Sequence, residues 1–209
     1  MGLGGVPMLV HSLRAAARSD SIESIVLVVP GAEVDTAKGI AADLAQDAPV
    51  AAVIGGGGTR QDSARRGIEA APPARLIVCH DAARPFASAA LFDRVCGAVG
   101  DPYAGAVPVV DIPDTVKRIE NGRIVETPPR EGLGLAQTPQ AFAAAALRAA
   151  HEWAAREGWT GTDDAMLLER AGLEVAVVAG EVLNFKITTE ADLRRARALV
   201  ASGDAGPLP

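Results

Sequence analysis

The chain has 209 residues, 49% of them hydrophobic and 22% charged, and a net charge of −6. This describes a globular protein of about one large domain, and aromatic residues at only 3% make its core an aliphatic one. The acidic balance argues against nucleic-acid binding, which needs a basic face, and no apolar stretch approaches the ~18–20 residues of a membrane span.

Pro7 to Ser19 reads as a helix, with Pro7 suited to a first turn. Ser24 to Val29 is a β-branched strand, Val34 to Ala45 a helix and Val50 to Ile54 a strand. A glycine-rich loop then leads into a helix over Arg60 to Ala70, followed by a strand that ends at His80. Ala87 to Val99 is a helix and Tyr103 to Val110 a strand. Alternation of this kind implies an α/β, Rossmann-like architecture: a mostly parallel sheet with helices on both faces.

The rhythm breaks at Asp111 to Gly134. Thr115 to Glu120, Asn121-Gly122 and Arg123 to Thr127 form a hairpin signal, because Asn-Gly supplies the positive φ of a tight turn. The flanking strands are charged and poor in core residues. Such a hairpin is marginal alone and is expected to protrude and pack on something else, plausibly a second subunit. Leu133 to Gln137 reads as a strand, and Ala141 to Arg156 and Asp163 to Arg170 as helices. Val175 to Val178 and Asn184 to Ile187 read as strands. Glu190 to Ala201 closes as a helix capped by Thr188 or Thr189, and the tail Gly203 to Pro209 is expected to fray. There is no internal repeat. Cys79 and Cys96 have no metal-ligand spacing and read as packing residues in a reducing cytoplasm.

Two segments carry the chemistry. The run Arg75 to Cys79 ends abruptly in His80-Asp-Ala-Ala-Arg-Pro85. In open α/β sheets the carboxyl edge of such a strand is where ligands bind, so Asp81 and Arg84 are expected to face a pocket. The small Ala82 and Ala83 let a ligand approach the backbone. The alternative is a mutual Asp81–Arg84 salt bridge. His80, with no partner apparent, reads as structural. The second segment, Gly55 to Ser63, can offer backbone N–H groups at a helix start, although a glycine-rich loop alone is a weak signal. Two such loops point to a nucleotide enzyme. Thr162-Asp163-Asp164 reads as an N-cap with acidic first-turn residues. Thr138-Pro139-Gln140 could be a simple turn, and Thr115, Lys117 and Arg130 could be solvated hairpin residues. Lys186, in a short apolar strand, needs a partner, and a bound phosphate is a natural one.

Taken in order, several segments together resemble the 2-C-methyl-D-erythritol 4-phosphate cytidylyltransferase family. They are Gly4-Gly-Val-Pro-Met8, Gly57-Gly-Thr-Arg-Gln61 with Ser63, His80 to Pro85, and Pro108 to Lys117 with Asp114-Thr115. Arg130, Gln137-Thr-Pro-Gln140, Thr162-Asp163-Asp164 and Asn184-Phe-Lys-Ile-Thr188 complete the set. Each motif is modest; the ordered set spans nearly the whole chain. The resemblance implies that Gly57, Gly58 and Ser63 hold the cytosine end of CTP, and that Asp81 and Ala82 meet the ribose or the substrate hydroxyls. It assigns Arg84, Thr115, Thr138 and Thr162 to the polyol phosphate site, and Arg130 and Lys186 to positioning the substrate phosphate. It implies direct nucleotidyl transfer with Mg²⁺ on the CTP phosphates and no metal held by the protein. It also implies a homodimer in which the hairpin arm, about residues 111–134 of a single domain, brings Thr115 and Arg130 to the partner's site. A ribitol 5-phosphate cytidylyltransferase would look alike, and a non-catalytic dimeric nucleotide-binding protein is the reading of a different class.

The family pattern also implies an opening strand and a glycine-rich loop with an arginine and a Pro-Lys pair that grip the triphosphate. This chain joins the pattern at Gly4-Gly5-Val6-Pro7. The expectations are an exposed edge or gap in the sheet where that strand belongs, weak CTP binding and little activity for the chain as written. The end at Pro209 is expected to leave no room for a fused downstream enzyme.

Overall fold

The computed structural model describes residues 2–203. Beyond residue 203 the tail expected to fray lies outside the described residues. The chain opens with a small antiparallel pair, β1 (Gly2–Leu3) and β2 (Val6–Pro7), turned by Gly4 and Gly5 at positive φ. Leu3 is buried against Phe86, Ile187 and the C-terminal helix, and the His11 ring donates to its carbonyl at 2.9 Å. Helix α1 (Met8–Ala17) follows, then β3 (Ile25–Val29), α2 (Val34–Asp43) and β4 (Val50–Gly55). β3 and β4 are parallel and form a two-stranded sheet. Val10 and Leu13 of α1 pack with Leu44 and Ala48 beside it.

Helix α3 (Arg60–Ala70) leads to β5 (Leu76–Cys79), α4 (Ala89–Gly97) and β6 (Gly105–Asp111). The hairpin strands β7 (Arg118–Glu120) and β8 (Arg123–Glu126) turn at Asn121 (φ 48°) and Gly122 (φ 76°), as the Asn-Gly pair requires. The arm is rooted where Asp111 of β6 faces Gly134 of β9 (Gly134–Ala136). Then come β10 (Gln140–Ala143), α5 (Ala144–Glu157), α6 (Ala165–Arg170), β11 (Val175–Ala179) and α7 (Glu190–Ser202). A capping box between Thr189 and Asp192 starts α7.

The main sheet has the order β11-β6-β10-β5, with β9 on β6. The alternating sides of its strands explain why helices cover both faces. Ile77, Val107, Phe142 and Val175 pack under α5 and α6 with Leu147, Leu167 and Leu168. Leu76, Val78, Ala106, Ala141 and Ala176 pack on the other side against Val95 and Cys96 of α4. The fold is therefore α/β and Rossmann-like, as expected, but its sheet is mixed. β5, β6 and β11 share one direction, while β9 and β10 run opposite to them.

Most boundaries differ from the sequence reading by one or two residues, and Pro7, expected in the first helical turn, lies in β2 before α1; two departures go further. Residues 141–143, expected to open a helix, are the strand β10. Ala-rich sequence favours a helix locally, but the fully buried Phe142 fills the space between β5 and β6 and tertiary packing prevails. Residues 184–187, expected to be a strand, form no ladder. Their ties are single bonds, such as Ile187 N–H to the Ala83 carbonyl at 2.9 Å, and side-chain bonds from Asn184.

The two sheets are not joined. Among the described residues β3 pairs only with β4, and β5 only with β10. A cleft of about 580 Å³ separates them, lined by Ile25 to Val28 on one side and Leu76 to Cys79 on the other. This is the open sheet edge expected from the sequence, and it leaves every residue of β5 only half-buried.

Candidate functional site

The charged residues Arg60, Asp81 and Asp164 border the cleft, together with Ser63 and Ala82. β5 delivers Asp81 to this point. One oxygen of Asp81 accepts from Lys186 Nζ at 2.7 Å and the other lies 3.5 Å from Arg60 Nε. Its backbone N–H donates to the Thr138 hydroxyl at 3.0 Å. Burial pushes the Asp81 carboxyl upward, but Lys186 and Arg60 outweigh it and hold the group below its ordinary value. The alternative of an Asp81–Arg84 pair is not what forms. The Arg84 guanidinium donates instead to the carbonyls of Asn184 (2.7 Å) and Ala136 (3.3 Å), tying three segments together.

His80 does have partners. Its Nε2 faces the Arg84 carbonyl at 3.3 Å and so carries the proton. Nδ1 then accepts from the Thr138 hydroxyl at 3.2 Å. Burial is the main reason its pKa falls to about 4, leaving a neutral, structural ring. Thr138 is buried, and its hydroxyl both donates to His80 and accepts from Asp81.

The glycine-rich loop before α3 is built by close approach. Thr59 caps α3 by accepting from the Asp62 N–H at 3.0 Å. Ser63 Oγ donates to the Thr59 carbonyl at 2.9 Å and accepts from the Gly57 N–H at 3.1 Å, which folds the loop over the first helical turn. A Cβ on Gly56 would meet Ser63 Oγ at 2.7 Å, and one on Gly57 would overlap Asp62. Gly58 has ordinary space around it, so packing does not dictate a glycine there.

Asp164 is a member of the site that sequence reasoning missed. Only 1% exposed, it accepts from Arg60 at 2.9 Å and from His151 Nε2 at 3.0 Å. Burial raises its carboxyl pKa, and His151 and Arg60 together bring it below the ordinary range. The helix cap expected at Thr162 does not form: Asp164 precedes α6 without a side-chain cap bond, and it is Asp163 Oδ1 that accepts from the Met166 N–H at 3.0 Å. Thr162 itself is exposed, with a long 3.9 Å contact to Met166 Sδ. Arg60 and Gln61 stand in the sequence only as parts of a motif, and no local signal reveals their partners, which lie about a hundred residues away.

Lys186 is 41% exposed, and the partner it has here is Asp81, where the sequence pointed to a bound phosphate. Thr115 and Arg130 are exposed on the arm, where Arg130 donates to the Pro113 carbonyl at 2.7 Å; neither joins the Asp81 network among the described residues. The site does not fit a metal held by the protein. Both oxygens of Asp81 and of Asp164 are engaged by cationic or imidazole groups, and those of Asp163 by N–H donors. Among the described residues no group of three or more His, Cys, Asp or Glu side chains could hold an ion. Burial, with Asp164 nearby, pushes the Cys79 thiol well above its usual value and removes it as a nucleophile.

Residues 1–202 match the family model for IspD, 2-C-methyl-D-erythritol 4-phosphate cytidylyltransferase. The chain is 40% identical over 202 residues to the protein of that name from Geobacter metallireducens, covering 95% of this chain and 87% of that one. It is 45% identical over 195 residues to a bifunctional enzyme IspD/IspF from Nitratidesulfovibrio vulgaris. That match covers 91% of this chain but 49% of the relative, so the chain spans about half the length of the bifunctional proteins it matches. Among solved structures, 4-diphosphocytidyl-2C-methyl-D-erythritol synthase from Anaerococcus prevotii superimposes with a TM-score of 0.87 at 32% identity, covering 96% and 88% of the two chains. The Thermus thermophilus cytidylyltransferase superimposes with 0.80 at 39% identity, covering 96% and 92%.

Proposed function

The chain belongs to the 2-C-methyl-D-erythritol 4-phosphate cytidylyltransferase family, and we propose that it joins CTP to 2-C-methyl-D-erythritol 4-phosphate with release of pyrophosphate. The observation that carries this reading is the Asp81–Lys186–Arg60 cluster at the end of β5, beside the Gly57–Ser63 loop. A phosphate oxygen of the polyol attacks the α-phosphorus of CTP, the new P–O bond forms, and the bond to pyrophosphate breaks. No covalent enzyme intermediate is needed; the protein orients two polyanions and offsets their repulsion.

Gly57, Gly58 and Ser63 hold the cytosine end, and Asp81 and Ala82 the ribose. Lys186 has three donors, of which Asp81 uses one, leaving two for the incoming phosphate. Arg84, Thr138 and Thr162 shape the polyol pocket. Thr138 does so by fixing the Asp81 backbone, since its proton is given to His80. Arg130 and Thr115 act from the arm in a partner subunit's site. The exposed Ile119 and Ile124, which face each other across the arm, support its being covered in a homodimer. Magnesium, if it comes with CTP, would offset the charge of the phosphates, and no residue of the site is assigned to hold it. The free cysteines favour a cytoplasmic setting; among the described residues no helix is long and apolar enough to cross a membrane.

Pyrophosphate release from CTP, Mg²⁺ and the polyol phosphate tests this. Release by the unsubstituted chain is expected to be slow, because the cleft between β3 and β5 stands open, with kcat reduced about a further 100-fold in Lys186→Ala. Ribitol 5-phosphate should turn over at least about tenfold more slowly. Release no faster with the unsubstituted chain than with Lys186→Ala refutes the reading.

A further inference from the structure

We propose that Arg60 and Gln61 are positioning residues for this reaction, fixing the distance between the nucleotide loop and the loop that carries Thr162. The proposal rests on the functional reading given above. The first turn of α3 is a junction. On one side Ser63 holds the Gly57 N–H and so fixes the nucleotide loop. On the other, the Gln61 amide grips the loop before Thr162 at two points: Nε2 donates to the Trp159 carbonyl at 2.9 Å, and Oε1 accepts from the Gly161 N–H at 2.8 Å. Arg60 adds a third tie, bridging Asp164 at 2.9 Å and Asp81 at 3.5 Å.

The gripped loop has little freedom elsewhere. Trp159 packs against Trp153 with centroids 4.6 Å apart and planes tilted by 48°, and lies under Arg170. A Cβ on Gly161 would come within 2.9 Å of the Asp163 carbonyl. Asp163 is itself held by the Met166 N–H and by Gln140 Nε2. Thr162 is thus an exposed residue between fixed neighbours. The apolar core already fastens α3 to α5 and α6 through Ile68. The polar ties at the other end of α3 therefore add little to holding the helices together. What they add is a set position for Thr162 relative to Ser63 and Asp81, and hence for one substrate relative to the other. Misplacement on the scale of an ångström costs such a reaction about 100-fold in rate.

The test is steady-state pyrophosphate release by Gln61→Ala, Gln61→Glu and Arg60→Lys, with urea midpoints to count folded sites. Gln61→Ala should lower kcat at least about tenfold while the KM for CTP stays within about twofold, because Ser63 and Thr59 still hold the nucleotide loop. Gln61→Glu keeps the acceptor for Gly161 and loses the donor to Trp159, so its kcat should be intermediate. Arg60→Lys keeps the charge but lacks the planar fork that spans both carboxylates, and should likewise lose kcat. If Gln61→Ala does not fold, the other two variants decide. Unchanged kcat per folded site in the folded variants, or a loss confined to the KM for CTP, overturns the proposal. An inactive unsubstituted chain overturns it together with the functional reading, whereas an active one with unaffected variants overturns it alone.

Discussion

His80 is held neutral, and that has a measurable effect on stability. In the unfolded chain its pKa is the ordinary 6.5; in the fold, burial between Thr138 and the Arg84 carbonyl lowers it to about 4. Between those values the unfolded state binds more protons than the folded one, so stability falls as the pH falls. The contribution is complete above pH 6.5 and is lost progressively down to about pH 4, amounting to at most roughly 3 kcal/mol. Urea unfolding at pH 7 and pH 4.5 should show this loss, and a His80→Asn variant should show a smaller one; equal losses would refute the assignment. Asp81 could be read from the sequence because charge at the end of an apolar strand has few explanations, and Lys186 because a lysine in an apolar run needs a partner, even though that run is a loop. Asp164 could not be. It looks like an ordinary helix-start acid, and only folding brings it against Arg60 and His151.

At the scale of elements, β10 matters most. Four residues long, it makes the only described connection between β5 and β6 in the sheet. Phe142 fills its centre, and the absence of a side chain on the facing Gly105 makes room for the ring, since a Cβ there would lie 2.6 Å from it. Phe142→Ala should therefore cost about 3–5 kcal/mol in urea unfolding, at the level of a large core truncation. A loss below ~1 kcal/mol would mean that the strand is held by its backbone alone. Sequence patterning placed the long helices well, because their apolar spacing is a local signal, and it placed the Thr189 cap of α7, but not the Thr59 and Ser88 caps of α3 and α4. It missed β10 because four residues ahead of an alanine-rich helix carry no periodicity of their own. Residues 184–187 misled in the opposite sense: their β-like composition serves a loop tied by Asn184 to Gln137 and Thr138.

At the scale of the molecule, the arm and the cleft are the two departures from a closed α/β body. Ile119 and Ile124 are 65% and 63% exposed on a hairpin with no core beneath it. Replacing both by Asp should shift sedimentation from dimer to monomer and leave the urea midpoint of the body nearly unchanged; an unaltered sedimentation profile would remove the arm from the interface. The arm was legible because Asn-Gly between charged strands is a strong local pattern, whereas the insertion of β10 between β5 and β6 is a matter of topology that no local signal carries. That insertion also has a consequence for how the chain is made. β5 and β6 leave the ribosome well before the strand they share, so the nascent protein must carry two apolar strands with no neighbour between them. Such non-local pairing is slow and leaves strand edges open to wrong partners. The main sheet cannot close as its first strands appear; its assembly waits for the last third of the chain.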